Sequence, residues 1–313
     1  MTAPAPLFAD MAEGPPGGRA DWVRAADGVR LRAGHWPAPA PSRGTVFLLP
    51  GRAEFIEKYG RTAADLAARG FDTASLDWRG QGLSDRAPSS PRNGHVGAFG
   101  EYQRDMAALL DLARERDLPR PWFLLAHSMG GTIGLRCLMG PHPFAAAVFS
   151  APMWGVLMAP WLRPVAVAVS TAARWLNLDA ARTPGTRRIS YVLSQGFAGN
   201  LLTSDPESWD HMRRQALAHP EMALAGPSLG WLRAALDECR ALASLPSPDL
   251  PVLTVLGTGE KIVEVGPIHD RMSRWPKGRL SLYPGAEHEI PMERPATRAR
   301  FADEVAALFS AQR

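Results

Sequence analysis

Apolar and polar positions follow two regimes along this chain. Near the amino end, Trp22-Val-Arg and Val29-Arg-Leu-Arg flank Asp27-Gly28, and period-two alternation about an Asp-Gly turn predicts a β-hairpin. Beyond the linker Pro37 to Ser42 the pattern becomes short, unbroken apolar runs. These are Thr45–Leu49, Phe71–Leu76, Trp122–Ala126, Ala145–Phe149, Val252–Leu256 and Arg279–Tyr283. Such runs predict strands covered on both faces. Helical periodicity falls between them, over about 59–69, 101–117, 129–139, 264–275 and 295–311. The alternation predicts an α/β fold with a mainly parallel, eight-stranded sheet, the hairpin included, and helices on both faces. It stops between about 152 and 246, which predicts an inserted helical cap (152–246) in a core made of 21–151 and 247–313. Residues 1–20, rich in Pro, Gly and Ala, read as a flexible arm.

Composition narrows the class. With 313 residues, 46% of them hydrophobic and 21% charged, the chain has the makeup of a soluble globular protein with a sizeable core. The net charge of +4 does not single out nucleic acid as a partner. Three of the 35 cations are lysines, and the arginines are spread without a run. Cys137 and Cys239 show neither metal-ligand spacing nor a disulfide framework, so no metal and no cofactor is expected. The start, Met1-Thr-Ala-Pro, does not read as a secretory signal. The longest uncharged stretch, Phe144 to Leu162, is interrupted by Pro152 and Pro160 and begins as a strand, which argues against a membrane span. The expected location is the cytoplasm.

The segment Leu124-Leu-Ala-His-Ser128-Met-Gly-Gly places Ser128 between a strand and a helix. This is the pattern of the G-x-S-x-G nucleophile elbow with Ala126 at the first glycine position. The serine sits on a sharp turn, small neighbours relieve crowding there, and Gly130 and Gly131 let the helix start close to the sheet. The Met129 N–H, at the helix start, would point at the oxyanion of a tetrahedral intermediate. His127 is adjacent to the serine but should point the opposite way along the strand.

A serine nucleophile needs a base, and the base an orienting carboxylate. In the chain order Ser, acid, His, the base is His288, in the loop after the last strand. Glu260, the first carboxylate beyond Val252–Leu256, is the leading acid, with Glu264 the next candidate.

With these residues in place, the chain resembles the serine hydrolases of the α/β-hydrolase superfamily that include monoacylglycerol lipases and bacterial lysophospholipase L2 enzymes. The resemblance rests on Pro50-Gly-Arg52-Ala-Glu54 with Lys58-Tyr59, on Asp77-Trp-Arg-Gly-Gln-Gly-Leu-Ser84, on Ala126-His-Ser128-Met-Gly-Gly131 and on Glu260. It implies that the backbone N–H of Arg52 is the second oxyanion donor and that the Asp77 loop is structural.

The cap region holds five of the ten tryptophans and opens with the apolar Met153-Trp-Gly-Val-Leu-Met-Ala-Pro-Trp-Leu. Met153, Trp154, Leu157 and Trp161 are candidate substrate-binding residues, and the same surface suits peripheral contact with a lipid interface. The expected reaction is hydrolysis of a single-chain lipid ester, a lysophospholipid or monoacylglycerol, through an acyl-enzyme. Rival readings are a short-chain carboxylesterase, a haloperoxidase-like enzyme on the same fold, and a non-catalytic binding protein.

Overall fold

Nine strands form one sheet in the order β1-β2-β3-β5-β4-β6-β7-β8-β9. They are β1 (Ala3–Ala5), β2 (Arg19–Arg24), β3 (Arg30–Trp36), β4 (Thr45–Leu49), β5 (Asp72–Leu76), β6 (Trp122–His127), β7 (Phe144–Ser150), β8 (Val252–Gly257) and β9 (Gly278–Tyr283). The structure, a computed structural model, describes residues 3–312. The first four strands in this order pair antiparallel, and β5 to β9 pair parallel.

The unbroken apolar runs have a simple cause. Along β4, Val46 and Leu48 enter the core on one face of the sheet, and Phe47 and Leu49 enter the core on the other. In β6, Leu124 and Ala126 alternate with Phe123 and Leu125 in the same way. Helices cover both faces, so every position of these strands is buried. At the far edge, β9 returns to alternation, with Ser281 and Tyr283 buried and Leu282 exposed.

The sheet has one strand more than expected, and the residues taken for a flexible arm supply it. Ala3–Ala5 pairs antiparallel with β2, and Ala9–Ala12 is a short helix. Three residues are too few to show periodicity, and Pro4 is tolerated because β1 lies at the sheet edge. The segment is then pinned by distant groups. Arg32 Nη1 donates to the Pro6 carbonyl (3.1 Å), the Phe8 ring stacks on His219 at 3.6 Å, and Gln215 Nε2 donates to the Met11 carbonyl (2.9 Å).

Residues between β7 and β8 carry the helices Leu162–Trp175, Tyr191–Ser194, Pro206–Ala218 and Leu229–Ala243. Two of them start on side-chain caps. Asp205 accepts the Ser208 N–H ahead of Pro206, and Ser228 Oγ accepts the Trp231 N–H.

The Asp77 loop is built into the core by charge. Arg32 is fully buried and donates from Nε to Asp77 Oδ2 (2.8 Å) and from Nη1 and Nη2 to the two oxygens of Glu57 (2.7 Å each). Asp77 also accepts the backbone N–H groups of Ile56 (2.9 Å) and Leu83 (2.8 Å). Removing this carboxylate leaves a buried guanidinium short of a partner and two backbone donors orphaned. Asp77→Ala should therefore lower the unfolding free energy by about 3–5 kcal/mol in urea denaturation; a loss below about 1 kcal/mol would show that the loop does not depend on it.

Candidate active site

Ser128 follows β6 and precedes the helix Met129–Leu138, with φ 50° and ψ −117°. A non-glycine residue held there costs on the order of 1–3 kcal/mol and persists only when its surroundings impose it. Hydrogen bonds on both sides do so. Ser128 N–H donates to the Ser150 carbonyl (3.1 Å), and the Ser128 carbonyl accepts from Gly131 N–H and Met153 N–H (2.9 Å each). The glycines after it are needed for close approach. A Cβ on Gly130 would lie 2.3 Å from the Leu49 carbonyl oxygen, and one on Gly131 would lie 2.5 Å from Pro152 Cβ. The group that faces the Ala126 methyl is Gly134, one turn further on, rather than Gly130.

His288 is buried and lies in the loop after β9. Its Nδ1 is 2.6 Å from Glu260 Oε2, which assigns the proton to Nδ1 and leaves Nε2 unprotonated in the neutral ring. The loop after β8 holds Glu260 through its other oxygen, which accepts the N–H groups of Ile262 (2.6 Å) and Val263 (3.0 Å). Burial alone would raise the pKa of this carboxyl. The hydrogen bond and charge of His288, with the two backbone donors, outweigh burial and hold it below the usual carboxylate range. Glu264 stands apart, paired with Arg163 at 2.8 Å.

The loop after β4 brings Arg52 to the same place. Among the described residues, no acceptor takes the backbone N–H of Arg52 or of Met129. The Asp77 loop supports this segment: Trp78 Nε1 donates to the Pro50 carbonyl (2.9 Å), and Gln81 Oε1 accepts the Ala53 N–H (2.5 Å).

Beneath the loops lies a buried charge cluster. Lys58 Nζ sits 2.7 Å from Glu54 Oε1 and 2.5 Å from Glu289 Oε1. Glu54 also accepts from the Gly51 N–H and from the Tyr59 hydroxyl (2.5 Å). His127 donates from Nδ1 to the Ser150 carbonyl (3.0 Å) and turns Nε2 toward Glu289 Oε2 at 3.2 Å. For Lys58, His127 and Glu289 desolvation pulls against ionisation, but mutual attraction wins. Lys58 and His127 are raised by Glu289 and Glu54, and Glu289 is driven well below its usual range by Lys58 and His127. Glu54, His127 and Glu289 place ligand atoms within 4.8 Å of one another, a set whose types suit a metal ion. The Lys58 ammonium already supplies positive charge between the two carboxylates. This cluster escaped the sequence reading because its members come from three distant segments and no local spacing announces it.

Ser128, Arg52 and His288 border one cavity of about 390 Å³, within the usual range for small-molecule sites. Its lining is mostly apolar and includes Val156, Val192, Leu201, Leu202 and Met212 from between β7 and β8. Of the four cap residues expected on the substrate, only Met153 lines it. Trp154 is buried in the core against Phe149 (5.1 Å between centroids) and donates to the Gly131 carbonyl. Leu157 and Trp161 point to solvent instead. Apolarity alone did not distinguish the residues that face inward. Trp231 is the tryptophan of this region that borders the cavity.

A family model described as Hydrolase_4, serine aminopeptidase S33, matches residues 40–295. The chain belongs to this family. It is 32% identical over 291 residues to lysophospholipase L2 of Escherichia coli K12, covering 87% of this chain and 80% of the relative. It is 24% identical over 265 residues to a monoglyceride lipase homolog of Monkeypox virus, covering 83% and 86%. Its fold is similar to that of a soluble variant of the Saccharomyces cerevisiae monoglyceride lipase, with a TM-score of 0.73, 18% identity, and 94% and 97% of the two chains covered. The protein is an ester hydrolase of the α/β-hydrolase fold.

The charge cluster sets a pH signature. The Glu289 pKa is depressed on folding, so its contribution to stability is present above the unfolded value and is lost as pH falls through the folded value. Glu289→Gln should lower the unfolding free energy at pH 7 by about 3 kcal/mol. The gap from wild type should shrink as the medium is acidified below the usual carboxylate range. A pH-independent gap in urea denaturation would remove the cluster from the account of stability.

Proposed function

We propose that the protein hydrolyses carboxylic esters of single-chain lipids through an acyl-enzyme at Ser128. The observation that carries this reading is the 2.6 Å bond from His288 Nδ1 to a buried Glu260, beside a serine held on a strained elbow in one mainly apolar cavity. In this reading His288 Nε2 takes the Ser128 hydroxyl proton as Oγ attacks the ester carbonyl carbon. The backbone N–H groups of Arg52 and Met129 receive the oxyanion, each worth about 3 kcal/mol at the transition state. The imidazolium then passes its proton to the departing alcohol oxygen, and Glu260 stabilises that cation. Water, deprotonated by His288, releases the fatty acid and restores Ser128.

The lipid part of the reading is supported by the apolar lining and by the relative named lysophospholipase L2. The outer surface supports it as well. Trp161 (72% exposed), Val165, Val169 and Trp175 (82%) form an apolar stripe along the helix Leu162–Trp175. Such a stripe suits the plane of a lipid surface. No helix among the described residues is long and apolar enough to cross a membrane.

A fluorophosphonate probe should label the wild type and not Ser128→Ala. Glu260→Gln should keep the fold and lower kcat by about ten-thousand-fold, because the imidazole loses both its orientation and its counter-charge. Turnover should rise from acetate to medium and long acyl esters; activity confined to acetate and butyrate would overturn the lipid reading and favour a short-chain carboxylesterase.

The double variant Trp161→Ser, Trp175→Ser should lose cosedimentation with phospholipid vesicles while hydrolysing a soluble short ester at the wild-type rate. Unchanged cosedimentation would exclude this face as the lipid contact.

A further inference from the structure

Arg52 borders the cavity with Ser128, and its charge has no counter-ion among the described residues. Its Nη2 donates to the carbonyls of Asn93 (3.0 Å) and Ala225 (2.8 Å), and its guanidinium carbon lies 5.3 Å from the Trp231 ring centroid. Nε is buried, and neither it nor Nη1 has an acceptor among the described residues. Burial pushes the guanidinium down to about 10, with partial opposition from Tyr102, so it remains charged at neutral pH. Trp231 lines the same cavity, with its indole toward the Tyr102 hydroxyl.

Other buried cations of this protein are treated differently. Arg32 has Glu57 and Asp77, Arg79 has Asp27, Glu101 and Asp105, and Lys58 has Glu54 and Glu289. Arg271 has no ion pair among the described residues, but its Nη2 meets the Leu242 carbonyl at the carboxyl end of the helix Leu229–Ala243, where the helix dipole is negative. Among the described residues, Arg52 meets two carbonyls of loop residues and the Trp231 ring. A buried cation without an anion is costly, and it becomes favourable when a ligand supplies the anion.

We propose that the Arg52 side chain is a phosphate-recognition group, which binds an anionic oxygen of the substrate's head group while the ester carbonyl lies at Ser128. This rests on the lipid-ester reading and narrows it to lysophospholipids. In a lysophospholipid the phosphate follows the scissile ester across one glycerol unit. A single residue beside the nucleophile can therefore serve both ends, its backbone N–H at the oxyanion and its guanidinium at the phosphate. A monoacylglycerol has no anion to offer there.

The test compares kcat/KM for a lysophosphatidylcholine and a 1-monoacylglycerol of the same acyl chain in wild type, Arg52→Gln and Arg52→Lys. Arg52→Gln should lower the lysophospholipid-to-monoacylglycerol ratio tenfold or more, chiefly through the KM of the lysophospholipid, and Arg52→Lys should restore part of it. Inorganic phosphate should inhibit monoacylglycerol hydrolysis by wild type more than by Arg52→Gln. An unchanged ratio overturns the proposal, whether both activities fall together, as displacement of the oxyanion loop would cause, or neither falls. Phosphate inhibition that depends on Arg52 without any change in the ratio would mark a site for free phosphate and overturn the head-group assignment. Wild type that turns over monoacylglycerol but fails the ratio test leaves the lipid-ester reading intact. Wild type idle on both lipids overturns that reading and this proposal with it.

Discussion

Lys58 lies between Glu54 and Glu289, a single ammonium joining two carboxylates from opposite ends of the chain. Glu54 holds the Gly51 N–H next to Arg52, Glu289 directly follows His288, and His127, which also faces Glu289, directly precedes Ser128. Each member of the cluster is thus a near neighbour of a residue in the proposed machinery. In a low-dielectric interior such charges are tolerable only when they meet one another at short range. That requirement is satisfied in one arrangement of the three loops, which is also the arrangement that gathers Ser128, His288 and Arg52 at one cavity.

The same constraint explains a division of labour within the fold. Loops at the carboxyl ends of the parallel strands are tied by buried ion pairs and by bonds to backbone N–H groups. Examples are Asp77 with Ile56 and Leu83, and Glu260 with Ile262 and Val263. Segments between β7 and β8 contribute apolar surface instead. They are joined to the rest of the protein by polar contacts, among them Glu289 N–H to the Leu202 carbonyl (2.7 Å) and Met153 N–H to the Ser128 carbonyl. Chemistry of this kind requires fixed distances at the reacting atoms, whereas a flexible acyl chain asks only for apolar room.

Charge at the cavity follows from this economy. Lys58 is spent on holding loops together and is neutralised by its two carboxylates. Arg52 lies a few residues before it and has no anion beside it among the described residues, its guanidinium steadied by two carbonyls and the Trp231 ring. One short segment after β4 therefore carries a structural cation and a cation without an anion among the described residues, and the difference lies in their acidic neighbours.

Much of this was legible in the chain. Unbroken apolar runs announced the central strands, since a strand covered on both faces has no polar side. The elbow around Ser128 could be read because its backbone demands small residues at fixed spacing. Glu260 and His288 followed from their positions just after two strands. What local pattern could not reveal was set by partners far away in sequence. Ala3–Ala5 is a strand because β2 offers it an open edge. Trp154 is core, while Leu157 and Trp161 face solvent, because apolarity does not say which surface a side chain meets. The Glu54–Lys58–His127–Glu289 cluster and the unpaired state of Arg52 exist only once distant segments are brought together, since the energy of a charge depends on which other charges stand beside it.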